Sequence, residues 1–270
     1  MIQTETKIID NKQVTDKCYC LEVRSSPIAR SASPGQFLEI KIGPDNTPFL
    51  RRPFSIHQIN GSVIKVLYEV VGRGTEILSR RRCGEYLDII GPLGKGFDFS
   101  PQGSGPCVSV LVAGGMGAAP LLFLAERLVN CPGVSERPLV LIGARNKKQV
   151  LCEKEFRALG CKVNIATDNG SKGFKGRATD LLKRILSRGK SIRGKGRFMP
   201  LAVYSCGPRP MLEAVSGLCR VYRIPAQISL ERHMACGIGA CMGCAVATTQ
   251  GLKRACKEGP VFKAGEIIWD

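Results

Sequence analysis

The chain has 270 residues, of which 44% are apolar, and it carries a formal net charge of +18. This length fits one large or two ordinary domains, and the apolar share is normal for a globular core and excludes a disordered chain. Its longest apolar runs, such as Val108–Ala113, are too short to cross a bilayer, and the first residues hold no apolar signal region, so we expect a cytoplasmic protein.

The first hundred residues have the pattern of an antiparallel β-domain. Short apolar or alternating runs are separated by turn residues, and Asn60-Gly61 between two such runs is a strong hairpin signal. Several short strands at this spacing predict a small antiparallel barrel or sandwich. The predicted strands are 8–9, 18–23, 37–42, 55–59, 63–71 and 86–90.

Beyond residue 106 the pattern changes to strands that alternate with helices, which predicts a parallel sheet with helices on both faces. The predicted strands are 108–113, 139–143, 162–167 and 201–205, and the predicted helices are 119–129, 153–159, 179–186 and 210–222. The last forty residues form a small third unit that depends on metal to fold. The expected fold is therefore multidomain: a β-barrel domain at 1–100, an α/β domain at 101–225 and a metal-cluster domain at 226–270.

Four cysteines in this last segment have the spacing of an iron–sulfur site. Cys236, Cys241, Cys244 and Cys256 follow C-x4-C-x2-C…C, the plant-type pattern for a 2Fe–2S cluster. Small residues between the ligands let such a loop wrap closely around the cluster. A structural zinc site also uses four cysteines, but zinc usually takes two separated pairs, so the pattern favours iron–sulfur. The other nine of the 13 cysteines are scattered, and most of them are expected to be small buried residues of a reducing compartment.

The basic residues have two interpretations. They crowd Arg80–Arg82, Lys147-Lys148 and 183–197, and the last run has the charge of a nucleic-acid arm. No aromatic residues interleave with these charges and no binding motif frames them, which favours a solvated surface stretch. An intermediate interpretation is that the basic residues form a docking face for an acidic partner or attract anionic nucleotides.

Two segments of the β-domain together indicate a flavin dinucleotide. Arg51–Ile56 (RRPFSI) offers an arginine that can clamp a phosphate and a hydroxyl that can reach a ring nitrogen. In Val70–Ile77 (VVGRGTEI) a glycine-rich turn leads into a helical pattern, which is a ready anion site. Each segment alone is an ordinary turn.

Two further glycine turns lie at the ends of strands in the α/β unit. Ala113–Pro120 (AGGMGAAP) follows the first strand, and Ser205–Met211 (SCGPRPM) follows a later one. Ligands of open α/β sheets bind at these carboxyl ends, where glycines let a pyrophosphate approach the backbone. The pair favours a dinucleotide site over two purely structural turns.

These elements, in this order, resemble the ferredoxin–NADP reductase superfamily. Arg52–Ser55 resembles its flavin motif, Gly74-Thr75 its pyrophosphate turn, and Gly114–Gly117 and Cys206–Pro208 its nicotinamide-nucleotide motifs. With the cysteine segment added, the chain is similar over nearly its whole length to the electron-transfer subunits of type B dihydroorotate dehydrogenase. The segments that carry this closer resemblance are 51–55, 91–97, 230–241 and 256–262.

The resemblance implies an oxidoreductase subunit that holds FAD and a 2Fe–2S cluster and has NAD as its electron acceptor. It implies a separate FMN-containing partner that oxidises dihydroorotate in pyrimidine synthesis, in a heterotetramer with two of each subunit. No residue of the chain has the pattern of a base for that oxidation, so no catalytic residue is assigned. Two alternatives stay open: a reductase subunit of a hydrogenase, sulfide dehydrogenase or ferredoxin:NADP reductase complex, and a basic zinc-containing nucleic-acid-binding protein.

The residue roles implied by the resemblance divide into three sets. The flavin set is Arg52, Pro53, Phe54, Ser55, Leu67, Tyr68, Glu69, Gly74 and Thr75; the nucleotide set is Gly114, Gly115, Gly117, Cys206 and Gly207; the metal set is the four cysteines.

Three departures from the family pattern stand out. Phe54 lacks the tyrosine hydroxyl, Glu69 stands where a basic residue is usual, and the basic stretch 187–199 has the character of an insertion. Gly143–Lys148 is basic enough for a 2′-phosphate, so the residues leave NAD and NADP open, while the family favours NAD.

Overall fold

The computed structural model describes residues 1–43, 48–99, 108–131, 136–192 and 201–269, with backbone alone at 188–192. These residues form two compact units: Met1–Gly96 with Arg232–Val261, and Phe97–Glu231 with Phe262–Asp270. The cysteine segment thus belongs to the same unit as the β-domain. The three-domain division at 1–100, 101–225 and 226–270 stays a prediction.

The first unit is built on a curled antiparallel sheet. Its order is β4-β3-β7-β1-β2-β6-β5, and Phe54 on β4 contacts Tyr68 on β6, with 5.7 Å between the ring centroids. Strands near the two ends of the sheet therefore meet, as in a half-closed barrel. The strands are β1 (Ile2–Gln13), β2 (Cys18–Arg24), β3 (Phe37–Ile40), β4 (Arg52–Ser55), β5 (Gln58–Asn60), β6 (Val63–Glu69) and β7 (Tyr86–Leu93). Two short helices, α1 (Ser26–Ser31) and α2 (Arg73–Ser79), lie between them in the chain.

The predicted hairpin at Asn60-Gly61 is confirmed, because Asn60 pairs with Val63 and Gly61 has φ +58°. β1 is longer than the predicted 8–9, since one face of this strand carries polar residues and no apolar run marks its length. The predicted strand 55–59 is wrong as a single element. The chain leaves β4 at Ile56, whose N–H bonds Gln36, and resumes pairing in β5.

The second unit contains a sheet of order β11-β10-β9-β8-β12-β13-β16, in which β8 to β13 pair in parallel. Its central strands are apolar on both faces, as buried parallel strands require; Val110, Leu111 and Val112 are fully buried. The strands are β8 (Val108–Gly114), β9 (Leu139–Ala144), β10 (Lys162–Thr167), β11 (Phe174–Lys175), β12 (Leu201–Cys206), β13 (Ala226–Ser229) and β16 (Val261–Lys263). The helices are α3 (Ala118–Val129), α4 (Glu153–Ala158), α5 (Ala178–Ile192) and α6 (Arg209–Tyr222).

The antiparallel half-barrel and the parallel α/β sheet confirm the predicted fold class. The cysteine loop leads into a hairpin of β14 (Ala245–Thr248) and β15 (Gly251–Arg254). Of the basic stretch 187–199, residues 187–192 continue α5, and 193–199 lie outside the described residues. Within the described ranges, no helix is both long and apolar enough to span a membrane.

Leu182 tests the packing of α5 on the parallel sheet. It is fully buried in a cluster with Val110, Leu141 and Val203. We expect Leu182→Ala to lower the free energy of unfolding by about 2–5 kcal/mol, because truncation leaves a cavity. Val221→Ala on α6, where the side chain is 65% exposed, is the control and should change it by less than about 0.5 kcal/mol. Urea unfolding followed by circular dichroism measures both, and equal effects would show that α5 does not pack there.

Candidate functional site

The cysteine loop has an irregular backbone that depends on glycine. Residues 235–244 form successive bends and turns before β14, and Gly237 and Gly239 have φ values of +66° and +85°. Residues with a side chain rarely adopt this left-handed region. The small residues of the motif thus have a conformational role in addition to leaving space.

The three cysteines of this loop and Cys256, which follows β15, come together in two pairs. The Cys241 N–H donates to Cys236 Sγ at 3.4 Å, and the two thiols interact directly. The Cys256 N–H likewise donates to Cys244 Sγ at 3.5 Å, and those thiols also interact.

Two thiol pairs are the donor set that two irons need, because each iron of a four-cysteine 2Fe–2S cluster takes two thiolates. Among the described residues, no three Cys, His, Asp or Glu side chains are grouped to hold a single metal ion. The two thiol pairs therefore match the donor set of a binuclear cluster.

Backbone donors surround the Cys236 sulfur. Burial opposes ionisation, but N–H groups of Cys241, Ile238 and Ala240 outweigh it and lower the pKa of Cys236 to about 6. In contrast, burial and the neighbouring Cys244 raise the pKa of Cys256 to about 12. The half-buried Cys236 sulfur thus already lies among groups that stabilise negative charge, which a cluster ligand carries.

Glu39 lies against this loop from within the same unit. It is 1% exposed on β3, and a Cβ built on Gly237 would overlap its carboxyl group. Burial, partly offset by Arg51 and reinforced by Cys236, raises the pKa of Glu39 to about 7. The sequence analysis did not assign this residue, although a lone acid between Leu38 and Ile40 in a buried strand was the signal that could have found it.

The curl of the sheet brings the two parts of the predicted flavin set together. Arg52, Pro53, Phe54 and Ser55 form β4, while Leu67, Tyr68 and Glu69 end β6. Phe54 and Tyr68 meet edge to face. The resulting surface combines buried rings with half-buried Pro53, Ser55 and Glu69 at strand ends.

Two residues that the sequence analysis missed fix Tyr68. Its hydroxyl bonds Asn11 Oδ1 at 3.0 Å, and its ring stacks on Tyr19 with 5.7 Å between centroids. Burial raises the pKa of Tyr68 above its ordinary value. The Tyr68 side chain is therefore held in place and stays uncharged at this surface.

The two adjacent arginines of the flavin motif have different surroundings. Arg51 is paired with Asp88 at 2.5 Å and also donates to the Asp88 carbonyl. Arg52 makes no ion pair with any described residue and donates Nη1 to the Leu50 carbonyl at 2.7 Å. Of the two guanidinium groups, that of Arg52 is the one with charge left for a phosphate.

The predicted pyrophosphate turn lies beside Arg52. A Cβ on Gly74 would lie 3.0 Å from Arg52 Nε, so glycine leaves the space that the guanidinium occupies. The Thr75 hydroxyl accepts the Val71 N–H at 3.0 Å and donates to the Gly72 carbonyl. The Thr75 side chain thus holds the shape of the turn, and Arg52 with Gly74 forms a cradle that fits a flavin pyrophosphate.

The two glycine turns of the second unit also meet. β8 and β12 are parallel neighbours with Ala113 opposite Cys206, so their carboxyl ends coincide. A Cβ on Gly117 would overlap the Cys206 carbonyl, and a Cβ on Gly207 would lie 2.9 Å from Gly114 Cα. Gly115 has φ +52°, and a Cβ there would meet nothing within 4 Å, so its surface is open to a ligand. The five residues of the predicted nucleotide set occupy one end of the sheet, as a dinucleotide site requires.

Cys206 is 2% exposed at this end of the sheet. Burial first, and then Glu231, raise the pKa of the Cys206 thiol to about 12, so the thiol stays neutral. Glu231, which was assigned no role from the sequence, lies close enough to Cys206 to influence its thiol.

Family models match the segment that holds the cysteines and the segment that holds the paired glycine turns. Residues 231–268 match the "iron-sulfur cluster binding domain of dihydroorotate dehydrogenase B", and residues 111–217 match the "oxidoreductase NAD-binding domain". Among curated proteins, the chain is 39% identical to the dihydroorotate dehydrogenase B (NAD(+)) electron transfer subunit of Desulforamulus reducens, over 98% of each chain. It is 38% identical to the same subunit of Enterococcus faecalis, over 97% of this chain and 96% of the relative.

Solved structures agree on the fold. An NADH-dependent reduced ferredoxin-NADP oxidoreductase structure matches with TM-score 0.81 and 25% identity, over 98% of this chain and 90% of its own. A ferredoxin NADP⁺ reductase from Neisseria gonorrhoeae with bound FAD and NADP matches with TM-score 0.64 and 19% identity, over 82% and 91%. By its near full-length identity to the curated relatives, this chain belongs to the family of dihydroorotate dehydrogenase B electron transfer subunits.

Proposed function

We propose that this chain is an oxidoreductase subunit that carries electrons from an FMN-containing dihydroorotate-oxidising partner to NAD⁺, with a 2Fe–2S cluster and FAD as its own cofactors. The observation that carries the proposal is the pairing of the four thiols in the same compact unit as the β4–β6 flavin surface. The family relatives support the reaction, since they bear this activity in their names.

The cofactors supply a conversion that the side chains alone cannot make: a flavin exchanges one or two electrons, a cluster exchanges one, and nicotinamide takes two. The chain's contribution is to bind and orient them. The four cysteines would hold the cluster, Arg52 and the turn at Gly74 would hold the FAD pyrophosphate, and Phe54 and Tyr68 would border the isoalloxazine. Thr75 would act by holding the turn. The side chain of Glu69 would add no positive charge for a flavin phosphate.

The second unit would bind the nicotinamide nucleotide at its paired glycine turns. Gly114 and Gly117 would admit the pyrophosphate, Gly115 would leave its approach open, and Cys206 with Gly207 would border the ring. The neutral, buried Cys206 thiol places no charge beside a ring that gains and loses a hydride. We keep NAD as the acceptor because the family relatives are NAD(+) enzymes.

The partner would dock over the cluster loop. Ile238 and Met242 are 44% and 51% exposed on this loop, so apolar surface is available beside the cysteines. We propose a heterotetramer of two copies of each subunit in pyrimidine biosynthesis. We also propose a cytoplasmic location, where a subunit of an NAD⁺-linked biosynthetic enzyme would work.

The alternatives have less support. Reductase subunits of hydrogenase, sulfide dehydrogenase or ferredoxin:NADP reductase complexes share the fold, but the cluster-segment model and the near full-length relatives are those of dihydroorotate dehydrogenase B. A zinc-containing nucleic-acid-binding protein does not fit the reductase fold.

Co-purification tests the proposed function directly. The chain, expressed with its native neighbours and isolated by an affinity tag, should retain an FMN-containing subunit, and the complex should reduce NAD⁺ with dihydroorotate. Its absorbance spectrum should show flavin bands and a broad iron–sulfur shoulder. A colourless zinc protein, or a coloured protein with no dihydroorotate-oxidising partner, would contradict the proposal.

Arg52→Ala should weaken FAD binding. Loss of one charge-assisted hydrogen bond to a phosphate costs about 1.5–3 kcal/mol, or roughly a tenfold to hundredfold rise in the FAD dissociation constant. Fluorescence of released flavin on dilution measures this. Arg30→Ala, at an exposed position of α1 in the same unit, is the control and should leave FAD binding unchanged. An unchanged dissociation constant in Arg52→Ala would remove this residue from the flavin site.

Cys241→Ser should abolish the cluster and leave FAD in place, because the serine hydroxyl is a poor replacement for one of four thiolates. Iron analysis and the visible spectrum measure the cluster, and flavin extraction measures FAD. The exposed Cys83, changed to serine, should keep full iron content. Iron retained in Cys241→Ser would exclude this cysteine as a ligand, and loss of FAD with the iron would show that the two sites do not form separately.

A further inference from the structure

Glu39 is an acid that lies buried on β3. Both carboxylate oxygens are inaccessible to solvent and accept no hydrogen bond from any described residue. Its neighbours on β3 are apolar, and the residue as a whole is 1% exposed. Burial of an unpaired carboxyl group is destabilising. A buried acid that destabilises the fold in this way is expected to have a role once the cofactors are bound.

The position of Glu39 joins the two cofactor elements of the first unit. Across the sheet it pairs with Pro53 on β4, in the centre of the predicted flavin strand. Its carboxyl group also fills the space next to Gly237, which follows the cluster ligand Cys236. Glu39 thus links the two elements, because its backbone pairs with the predicted flavin strand and its side chain packs against the cysteine loop.

The charges around Glu39 couple it to the cluster ligand. Arg51 and Arg52 favour its ionised form, and Cys236 disfavours it. Arg51 is already paired with Asp88, so its positive charge does not fully cancel the negative charge of Glu39. In a buried environment such a charge acts strongly on a neighbouring sulfur, because little water screens it.

We propose that Glu39 is a positioning residue of the cluster site, which supports the Cys236–Gly237 segment from the sheet side and lowers the reduction potential of the cluster held there. The inference rests on the proposed function, since it requires the cluster. A carboxylate beside the ligand disfavours the electron that the cluster gains on reduction. The packing against Gly237 keeps this charge at a fixed place.

The test is a redox titration of the Glu39→Gln complex, purified with its partner subunit and all cofactors, at one fixed alkaline pH at which the Glu39 carboxyl group is ionised. Electron paramagnetic resonance follows the cluster signal. Glutamine keeps the shape of the side chain, so we expect wild-type iron and FAD content and a cluster midpoint potential shifted upward. Glu22→Gln is the matched control, because Glu22 is also a barrel acid but pairs with Lys65 on the neighbouring strand, and it should cause no shift.

Three outcomes separate the possibilities. An unshifted midpoint in Glu39→Gln, or an equal shift in Glu22→Gln, would overturn the inference while leaving the proposed function intact. If Glu39→Gln does not assemble, Glu39→Asp retains the carboxyl group but withdraws it from Gly237; an upward shift there supports the inference, and none overturns it. Absence of any cluster signal in the wild-type complex would instead overturn the proposed function.

Discussion

Close contact between a glycine-dependent loop and the sheet beneath it is the constraint on which the first unit depends. The loop that carries three of the four sulfurs has an irregular backbone, so another element must hold it. Here the Gly237 backbone lies directly on the buried Glu39 side chain of β3. Because β3 also pairs with β4, the strand that supports the cysteine loop is the one that positions Arg52 and Phe54.

The curl of the sheet likewise builds the flavin surface from strands that are distant in the sheet order. β4 is an edge strand of the sheet and β6 is near the other edge, yet the curl makes Phe54 touch Tyr68. The Asn11 bond and the Tyr19 ring then fix Tyr68 from the far side. The two adjacent arginines of the site have different roles. Arg51 pairs with Asp88 and stabilises the fold, which leaves the charge of Arg52 for an anion.

In the second unit the decisive constraint is the close approach of two backbones. Gly117 faces the Cys206 carbonyl, and Gly207 faces Gly114, with no room for a Cβ at either contact. This close approach brings the carboxyl ends of β8 and β12 together in one site. It also explains why each turn has a glycine at the point of contact, Gly117 in one and Gly207 in the other.

The sequence by itself determined the elements whose signals are local. The C-x4-C-x2-C spacing, the alternation of strands and helices after residue 106 and the hairpin at Asn60-Gly61 each depend on residues a few positions apart, and the fold class followed from them. The cluster, flavin and nucleotide motifs were recognisable for the same reason.

Only the tertiary structure decided what depends on residues distant in the chain. The length of β1 came from pairing with both β2 and β7, which its polar residues did not indicate. The inclusion of the cysteine segment in the barrel's unit and the burial of Glu39 beneath Gly237 join residues almost two hundred positions apart. A local pattern cannot report such contacts, because burial and charge coupling are set by whichever segments the fold brings together.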